Sequence, residues 1–511
     1  MNPTMKKILK SSRFIIIAGL ISKLLSLTKE TFIASKLGSG AETDTYFTAI
    51  IAATLLADII GEGISLGVVP ILFKIEAKNG KKHKLSYINN LLHVVILSAL
   101  GLIFLGWFFS PVVLKILVRG IEGKDLQSML KLVRVGLPMG LFVMVRSIFI
   151  AFLHSEHSFR AGAKSWIYYY SVYIIFLTFF SNHGIYGLMI TGIVASIVQL
   201  CSVIPTSINE GYKYESILNF NDVYLKEFLI MLIPIVISTS INMINVVVDK
   251  SFASTLVSGS KSWLNYSDTI IQLILGIFVT GIITVLFPMF CQKFNGGDTT
   301  SLKNLMSIGT RLILSVIVPT MIILITLANP IVKLLFERGK FGTTDTLMTS
   351  QVLVYYALGL VSMSMILILT NFHYATHDPI TPMKFAFIGV IANFILNLIL
   401  VKLMAVNGLA LATSISSTLI VVLLIKDINK DSQIVNMKHV KKGFVKLLPV
   451  IVAMVVAILL VYNILEFIPW DNVIIDIIQL IISISIGVTT YIKLGIKTES
   501  TLWEITESGK A

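Results

Sequence analysis

ISKLLSLTKETFIASKLGSG, residues 21–40, continues an apolar run, FIIIAGLI, that belongs in hydrocarbon, yet it contains Lys23, Lys29 and Glu30. A central charge in a membrane helix costs about 2.5–3.5 kcal/mol even on the lenient insertion scale. Helical periodicity shows how the chain tolerates it. At about 100° per residue, Lys23, Glu30, Ser26, Ser22 and Lys29 share one arc of about 120°. Leu20, Leu24, Leu25 and Leu27 point in other directions. One side of this helix therefore faces a polar cavity or a charged partner.

The rest of the composition places that helix in a bilayer. Of 511 residues, 55% are hydrophobic and 13% charged, against about 25% charged in an ordinary soluble domain. No soluble fold has interior enough for this, so the chain reads as an all-α integral membrane protein with the lipid bilayer as its solvent. The first apolar run follows MNPTMKKILKSSR without a small-residue cleavage pattern and outlasts a signal-peptide core, so it reads as a retained helix.

Cys201 and Cys291 lie in apolar segments and make neither a disulfide framework nor a metal motif. There is no His/Cys ligand spacing, phosphate-cradling glycine loop or nucleophile elbow, so no catalytic residue, metal or cofactor is expected. His154, His157, His373 and His377 fall at helix ends and read as loop packing. The net charge of +14 is gathered in particular loops, which is a sign of topology rather than of nucleic acid.

A spanning helix needs about 20 mostly apolar residues. About fourteen segments qualify, from 12–35 and 43–73 through to 446–465 and 473–492. The span 162–180 is weakened by Trp166 and the Tyr168–Tyr170 cluster. Three basic clusters fall on one side: Lys6, Lys7 and Lys10; Lys74 to Lys84; and Lys426 to Lys442. Both termini are therefore expected in the cytoplasm. Arg119, Lys124 and Lys131 form an outward exception, partly balanced by Glu122 and Asp125.

The opening stretch also carries an internal repeat. Ala34-Ser35-Lys36-Leu37 recurs as Ala253-Ser254-Thr255-Leu256, and Val69-Pro70 as Phe287-Pro288. Arg119-Gly120 recurs as Arg338-Gly339, Leu153-His154 as Phe372-His373, and Gly187-Leu188 as Gly408-Leu409. The offset stays between 218 and 221. Six helices map onto six, an even number, so the halves have parallel topology. The expected organisation is an N-lobe at 1–205, an amphipathic connector at 206–226, a C-lobe at 227–425, and two extra helices with a cytoplasmic tail at 426–511. Repeats of this kind usually frame a substrate path.

Other intramembrane charges follow the first helix. Asp44 and Glu62 share a face of helix 2, about 27 Å apart along it, with Asp58 nearby. The stretch Gly61–Pro70 is rich enough in glycine to bend. Asp249, Lys250 and Asp268 occupy comparable places in the second half, and Asn393 and Asn397 read as helix–helix hydrogen-bonding groups. Internal ion pairs, such as Lys23 with Asp58, would be the plain structural explanation. Burying many charges for stability alone is a poor strategy. A water-filled cavity receiving an anionic substrate accounts for the cations, and the carboxylates balance them or bind a coupling cation.

The motifs ETDTYFTA, GEGISLGVVPIL, VVDKSFASTLVSGSKSWLNYSDTIIQLILG, TVLFPMF, LLFERGKFGTTDT, HYATHDPITPMK and NGLALATS resemble those of the MurJ/MviN lipid II flippases over nearly the whole chain. The resemblance implies fourteen helices in the bacterial inner membrane, two lobes around a cationic cavity, and two further helices shaping a groove for a lipid tail. It implies movement of a polyprenyl-diphosphate-linked saccharide from the inner to the outer leaflet by alternating access. Lys23 and Lys29 stand where the family carries arginines, Glu30 is the adjacent acid, and Asp44, Glu62, Asp249 and Asp268 match acidic positions. The family's arginine in helix 2 falls at Ala57–Asp58, another becomes Thr269, and a carboxylate position is Gln272. Lys250 and Lys261 are the candidates to compensate.

The sites implied are Lys23, Lys29, Glu30, Lys250 and Lys261 for substrate, and Asp44, Asp58, Glu62, Asp249 and Asp268 for gating or cation coupling. The competing functions are a flippase for another surface-polysaccharide intermediate, a cation-coupled drug exporter of the same superfold, and a glycan-polymerising membrane enzyme. The last would need larger outward loops. Epitope tags in the 74–84 and 430–442 loops should both report from the cytoplasm, and an outside signal from either would overturn the helix count.

Overall fold

The structure, a computed structural model, describes residues 3–118, 124–432, 437–466 and 473–497. Arg119 of the outward loop and the 498–511 part of the expected tail lie outside the described residues. So do the side chains of Lys6, Lys7, Lys10, Lys124, Lys438, Lys441 and Lys442. Every described element is helical. Lipid offers the backbone no hydrogen-bond partner, so each spanning segment must satisfy its own amides.

The chain divides into two compact units, Met1–Ser262 and Trp263–Ala511. The first contains α1 (Pro3–Leu37), α2 (Ala41–Leu117), α3 (Lys124–Gly136), α4 (Met139–Ser155), α5 (Arg160–Phe179), α6 (Gly184–Asn209) and α7 (Val223–Ala253). Helix α8 (Ser260–Ile274) starts at its end. The second unit continues through a π-helical turn at Leu275–Val279, α9 (Thr280–Asn295), α10 (Thr299–Thr326), α11 (Ala328–Phe336), α12 (Thr343–Leu358) and α13 (Leu360–Ala375). It closes with α14 (Ile380–Met404), α15 (Val406–Ser432), α16 (Met437–Glu466) and α17 (Val473–Lys497).

Helix lies across the fourteen expected segments, but among the described residues length and hydropathy alone qualify ten spans, or eleven if the bent pair α12–α13 is one span. Helix α2 is one of the ten yet holds two expected segments, and α1 and α5 are not among them. The two legs of α2 meet at Gly80, whose φ of 79° and ψ of 174° leave the helical region. Glycine adopts that conformation without a Cβ penalty.

Gly61–Pro70 keeps helical backbone angles throughout, so the break within α2 does not fall there. Its glycines serve close packing instead. A Cβ at Gly61 would lie 2.9 Å from Ser147 Oγ on α4, and one at Gly63 would lie 2.7 Å from Leu232 on α7. Ala53, Ala57 and Gly61 form a row of small residues at four-residue spacing. A Cβ at Gly140 would come within 2.9 Å of Ala57, and one at Gly136 within 2.9 Å of Ala53. Small residues let membrane helices approach where no hydrophobic drive exists. The core above this seam is Ile64, Val68 and Leu72 of α2, Ile148 and Phe152 of α4, and Phe228 of α7.

The Gly80 end is held by polar contacts. Lys84 is fully buried and donates to Glu76 and Glu156, each at 2.7 Å, while Lys81 lies 3.2 Å from Glu156. Burial would raise the Glu156 carboxyl, but the two ammonium groups outweigh it and hold it below the usual carboxylate range. Residues 210–222, the middle of the expected connector, are irregular. Asn89 accepts from Tyr212 Oη at 2.7 Å and donates to the Lys213 carbonyl, and Asn90 accepts from Asn219 N at 2.6 Å.

Adding a methyl at the α2–α4 seam should be costly. Gly140→Ala is expected to lose ~1–3 kcal/mol of stability, read as a lower melting temperature in detergent. Gly19→Ala, where an added Cβ meets nothing within 4 Å, should lose none.

Candidate functional site

Within the first unit the polar arc of α1 meets the aromatic face of α5. Lys29 Nζ lies 2.8 Å from Glu30, which is only 5% exposed. Adjacent helical positions diverge by about 100°, so this pair depends on lysine's long stem swinging back along the helix. The ammonium also sits 5.3 Å from the ring centre of Tyr173, whose hydroxyl accepts from Tyr169 Oη at 3.5 Å. Lys23 is exposed and forms no ion pair among the described residues.

The aromatic face of α5 leads from Lys29 to Arg146 of α4, through Tyr173, Tyr169 and Trp166. Asp58 of α2 lies beside it, together with the Thr54 hydroxyl, and Glu62 follows Asp58 one turn on. Lys23 and Asp58, considered from the sequence as a pair, form no ion pair among the described residues; Asp58 has Arg146 as its charged neighbour, because the small-residue seam brings α2 and α4 together. The Arg146 guanidinium stacks 5.3 Å from the Trp166 ring centre, and Trp166 in turn stacks on Tyr170 at 5.9 Å and 25°. A lone arginine inside FVMVRSIFIAFL was the available sequence signal. The α5 aromatics lower the hydropathy of their span, which hides from the sequence that they line a site.

Asp44 belongs to a second cluster. Its buried carboxylate accepts from Gly259 N and Ser262 N, each at 2.8 Å, and from Ser262 Oγ at 2.6 Å. These donors form the start of α8, where unsatisfied amides and the helix dipole favour an anion. Lys261 Nζ donates to Thr48 Oγ1 at 2.9 Å, and Lys250 Nζ donates to the Lys261 carbonyl at 3.3 Å while lying 5.8 Å from the Phe47 ring. Lys250 and Lys261 thus gather around Asp44 and Thr48, apart from the partners of Lys29. A cavity of about 540 Å³ opens beside this cluster, lined by Glu42, Asp44, Ser128, Tyr186, Ser258 and Lys261 among others. Asp249 is half-buried on α7.

In the second unit, Asp268 accepts from Gln272 Nε2 at 3.2 Å, and the Thr269 hydroxyl is turned back to the Asn265 carbonyl. Asn397 donates to Asn393 at 2.9 Å, and Asn393 to Thr413 at 3.3 Å, which joins α14 to α15 as helix–helix hydrogen bonds. Among the described residues, His373, Asp378 and Asp427 offer ligand atoms within 4.8 Å of one another. Each has another role: Asp378 Oδ1 accepts from Thr381 N and Oδ2 lies 3.4 Å from His373, while Asp427 pairs with Lys430.

A family model described as lipid II flippase MurJ matches residues 33–478. The chain belongs to the MurJ lipid II flippase family. A probable lipid II flippase MurJ of Buchnera aphidicola subsp. Acyrthosiphon pisum is 28% identical over 460 residues, 89% of each chain. A solved lipid II flippase MurJ in an inward closed conformation superposes with a TM-score of 0.79 at 25% identity, covering 94% of this chain and 97% of that one. An inward-facing multidrug resistance MATE transporter of the MOP superfamily gives 0.70 at 11% identity, covering 82% and 99%. That last likeness shows the fold alone. This MurJ-family chain is a multi-pass membrane transporter.

The Asp44 cluster gives a direct expectation. In a background lacking Cys201 and Cys291, Ser258→Cys should react faster with a water-soluble maleimide once Asp44→Asn is added, since up to three charge-assisted bonds at about 1.5–3 kcal/mol each are weakened. An unchanged labelling rate would show that Asp44 does not hold the 259–262 turn.

Proposed function

We propose that this chain moves a polyprenyl-diphosphate-linked saccharide, the peptidoglycan precursor lipid II, from the inner to the outer leaflet of the bacterial cytoplasmic membrane by alternating access. The observation that carries the proposal is the pair of cations Lys23 and Lys29 on the polar arc of α1, with Lys29 joined to Arg146 through the rings of Tyr173, Tyr169 and Trp166. A diphosphate is the anion such a face suits, and family membership names the same substrate class. Lys23, Lys29 and Glu30 bind it, and Lys250 and Lys261 receive it nearer the α8 end. Two pseudo-equivalent lobes, 1–205 and 227–425, alternate access with both termini in the cytoplasm.

The acids divide the remaining work. Asp44, held by the start of α8, closes one end of the path. Asp58 and Glu62 sit further along the same helix, and Asp249 and Asp268 are the counterparts in the second half. Gating and the binding of a coupling cation fall to these five. A drug exporter of the same fold finds support only in likenesses too distant to carry function.

Depletion of the protein should cause lipid II to accumulate in the inner leaflet, and re-expression should clear it. Lys23→Arg and Lys29→Arg should restore most of the transport, because charge matters before fork geometry. Lys23→Ala and Lys29→Ala should lose most of it at undiminished membrane abundance. Full transport by a well-expressed double alanine variant would remove the cations from the substrate path, and accumulation of a different lipid-linked glycan would change the substrate.

A further inference from the structure

We propose that Arg146, Trp166 and Tyr170 form a separate subsite, in which the guanidinium takes a phosphate oxygen and the stacked rings take the face of the first sugar. The inference rests on the flippase function proposed above and assigns it residues that neither the motifs nor the spacing of charges had singled out.

The first support is an unfilled donor. Arg146 Nε is buried and has no hydrogen-bond partner among the described residues, although Asp58 lies beside the side chain. Buried donors in native proteins are nearly always paired, and a guanidinium carries five in a fixed fork that matches phosphate geometry. Asp58 balances the charge and leaves the fork incomplete. A bound phosphate oxygen would complete it.

The second support is the surface around the fork. The guanidinium lies over the Trp166 ring at 5.3 Å, Trp166 stacks on Tyr170, and Trp166 is 40% exposed. A flat aromatic face takes the apolar face of a pyranose ring, and stacking on the guanidinium leaves the edge donors free for an anion. Tyr169 neighbours both Arg146 and Lys29, so the new subsite is continuous with the α1 cations.

The third support comes from the internal repeat. At the offset of 219, Met365 stands for Arg146, Ile277 for Asp58, Phe385 for Trp166 and Gly389 for Tyr170. Met365 is buried at 5% exposure. Equivalent helices therefore form with apolar residues at these places, so the fold itself does not require a buried arginine and its acid.

The test uses full-length protein in nanodiscs and two probes: a short polyprenyl diphosphate, and the same lipid carrying one hexosamine. Wild type should bind the glycosylated probe more tightly. Trp166→Ala should remove that sugar advantage and weaken the bare diphosphate less than Arg146→Met does. Arg146→Met should weaken both probes by at least about tenfold, with Arg146→Lys between. If Arg146→Met fails to fold, Asp58→Leu combined with it removes both charges. A folded double variant that still binds poorly supports the subsite, and one with wild-type affinity for both probes overturns it. Wild-type affinity of Arg146→Met, with Lys29→Ala impaired, likewise overturns the subsite while the proposed function stands. Failure of wild type to bind either probe above empty nanodiscs overturns the function on which it rests.

Discussion

Hydrocarbon cannot hydrate an ion, and that constraint orients most of the first unit. A helix holding Lys23, Lys29 and Glu30 can turn only one way, with its charged arc toward other polar groups. Helix α5 answers with hydroxyls and aromatic faces, which are amphipathic enough to sit against both lipid and charge. Tyr173 is fully buried yet carries the Lys29 ammonium over its ring. A wholly aliphatic helix in that place would leave the ion pair facing methyl groups. The aromatics that lower the hydropathy of α5 are thus what makes α1 tolerable.

The second determinant is backbone proximity. Ala53, Ala57 and Gly61 on α2 meet Gly136, Gly140 and Ser147 closely enough that an added Cβ would clash. Packing of this kind supplies the dispersion that replaces the hydrophobic effect within a membrane. It also sets chemistry, because Asp58 and Arg146 come from these two helices. Their charges are brought together by neighbours that carry no charge at all.

Two carboxylates show how placement divides function. Asp44 is buried under three donors at the start of α8, which satisfies it fully in this conformation. Glu62, on the same helix, remains exposed. A carboxylate held by two backbone amides and a hydroxyl resists exchange of partners, whereas an exposed one can take up a proton or cation. The same residue chemistry therefore serves as a clasp in one place and as an open group in another.

The amino-acid sequence by itself determined the solvent, the helical class and the family, because these depend on composition, period and linear spacing. It also located the polar arc of α1, since a helix converts separation along the chain into angle. What it left open depends on contacts between helices far apart in sequence. Arg146 and Asp58 are 88 positions apart, and nothing in their local periodicity says that they meet. Gly61, Gly63 and Gly67 looked like a bend because glycine loosens a helix in isolation, and only the side chains of α4 and α7 reveal them as packing positions. The turn between the legs of α2 fell instead to Gly80. Lys250 and Lys261 were candidates to compensate for absent family arginines, and tertiary structure gives them the partners Thr48, Phe47 and a backbone carbonyl. Charge is written in the sequence, but its partner is decided by packing.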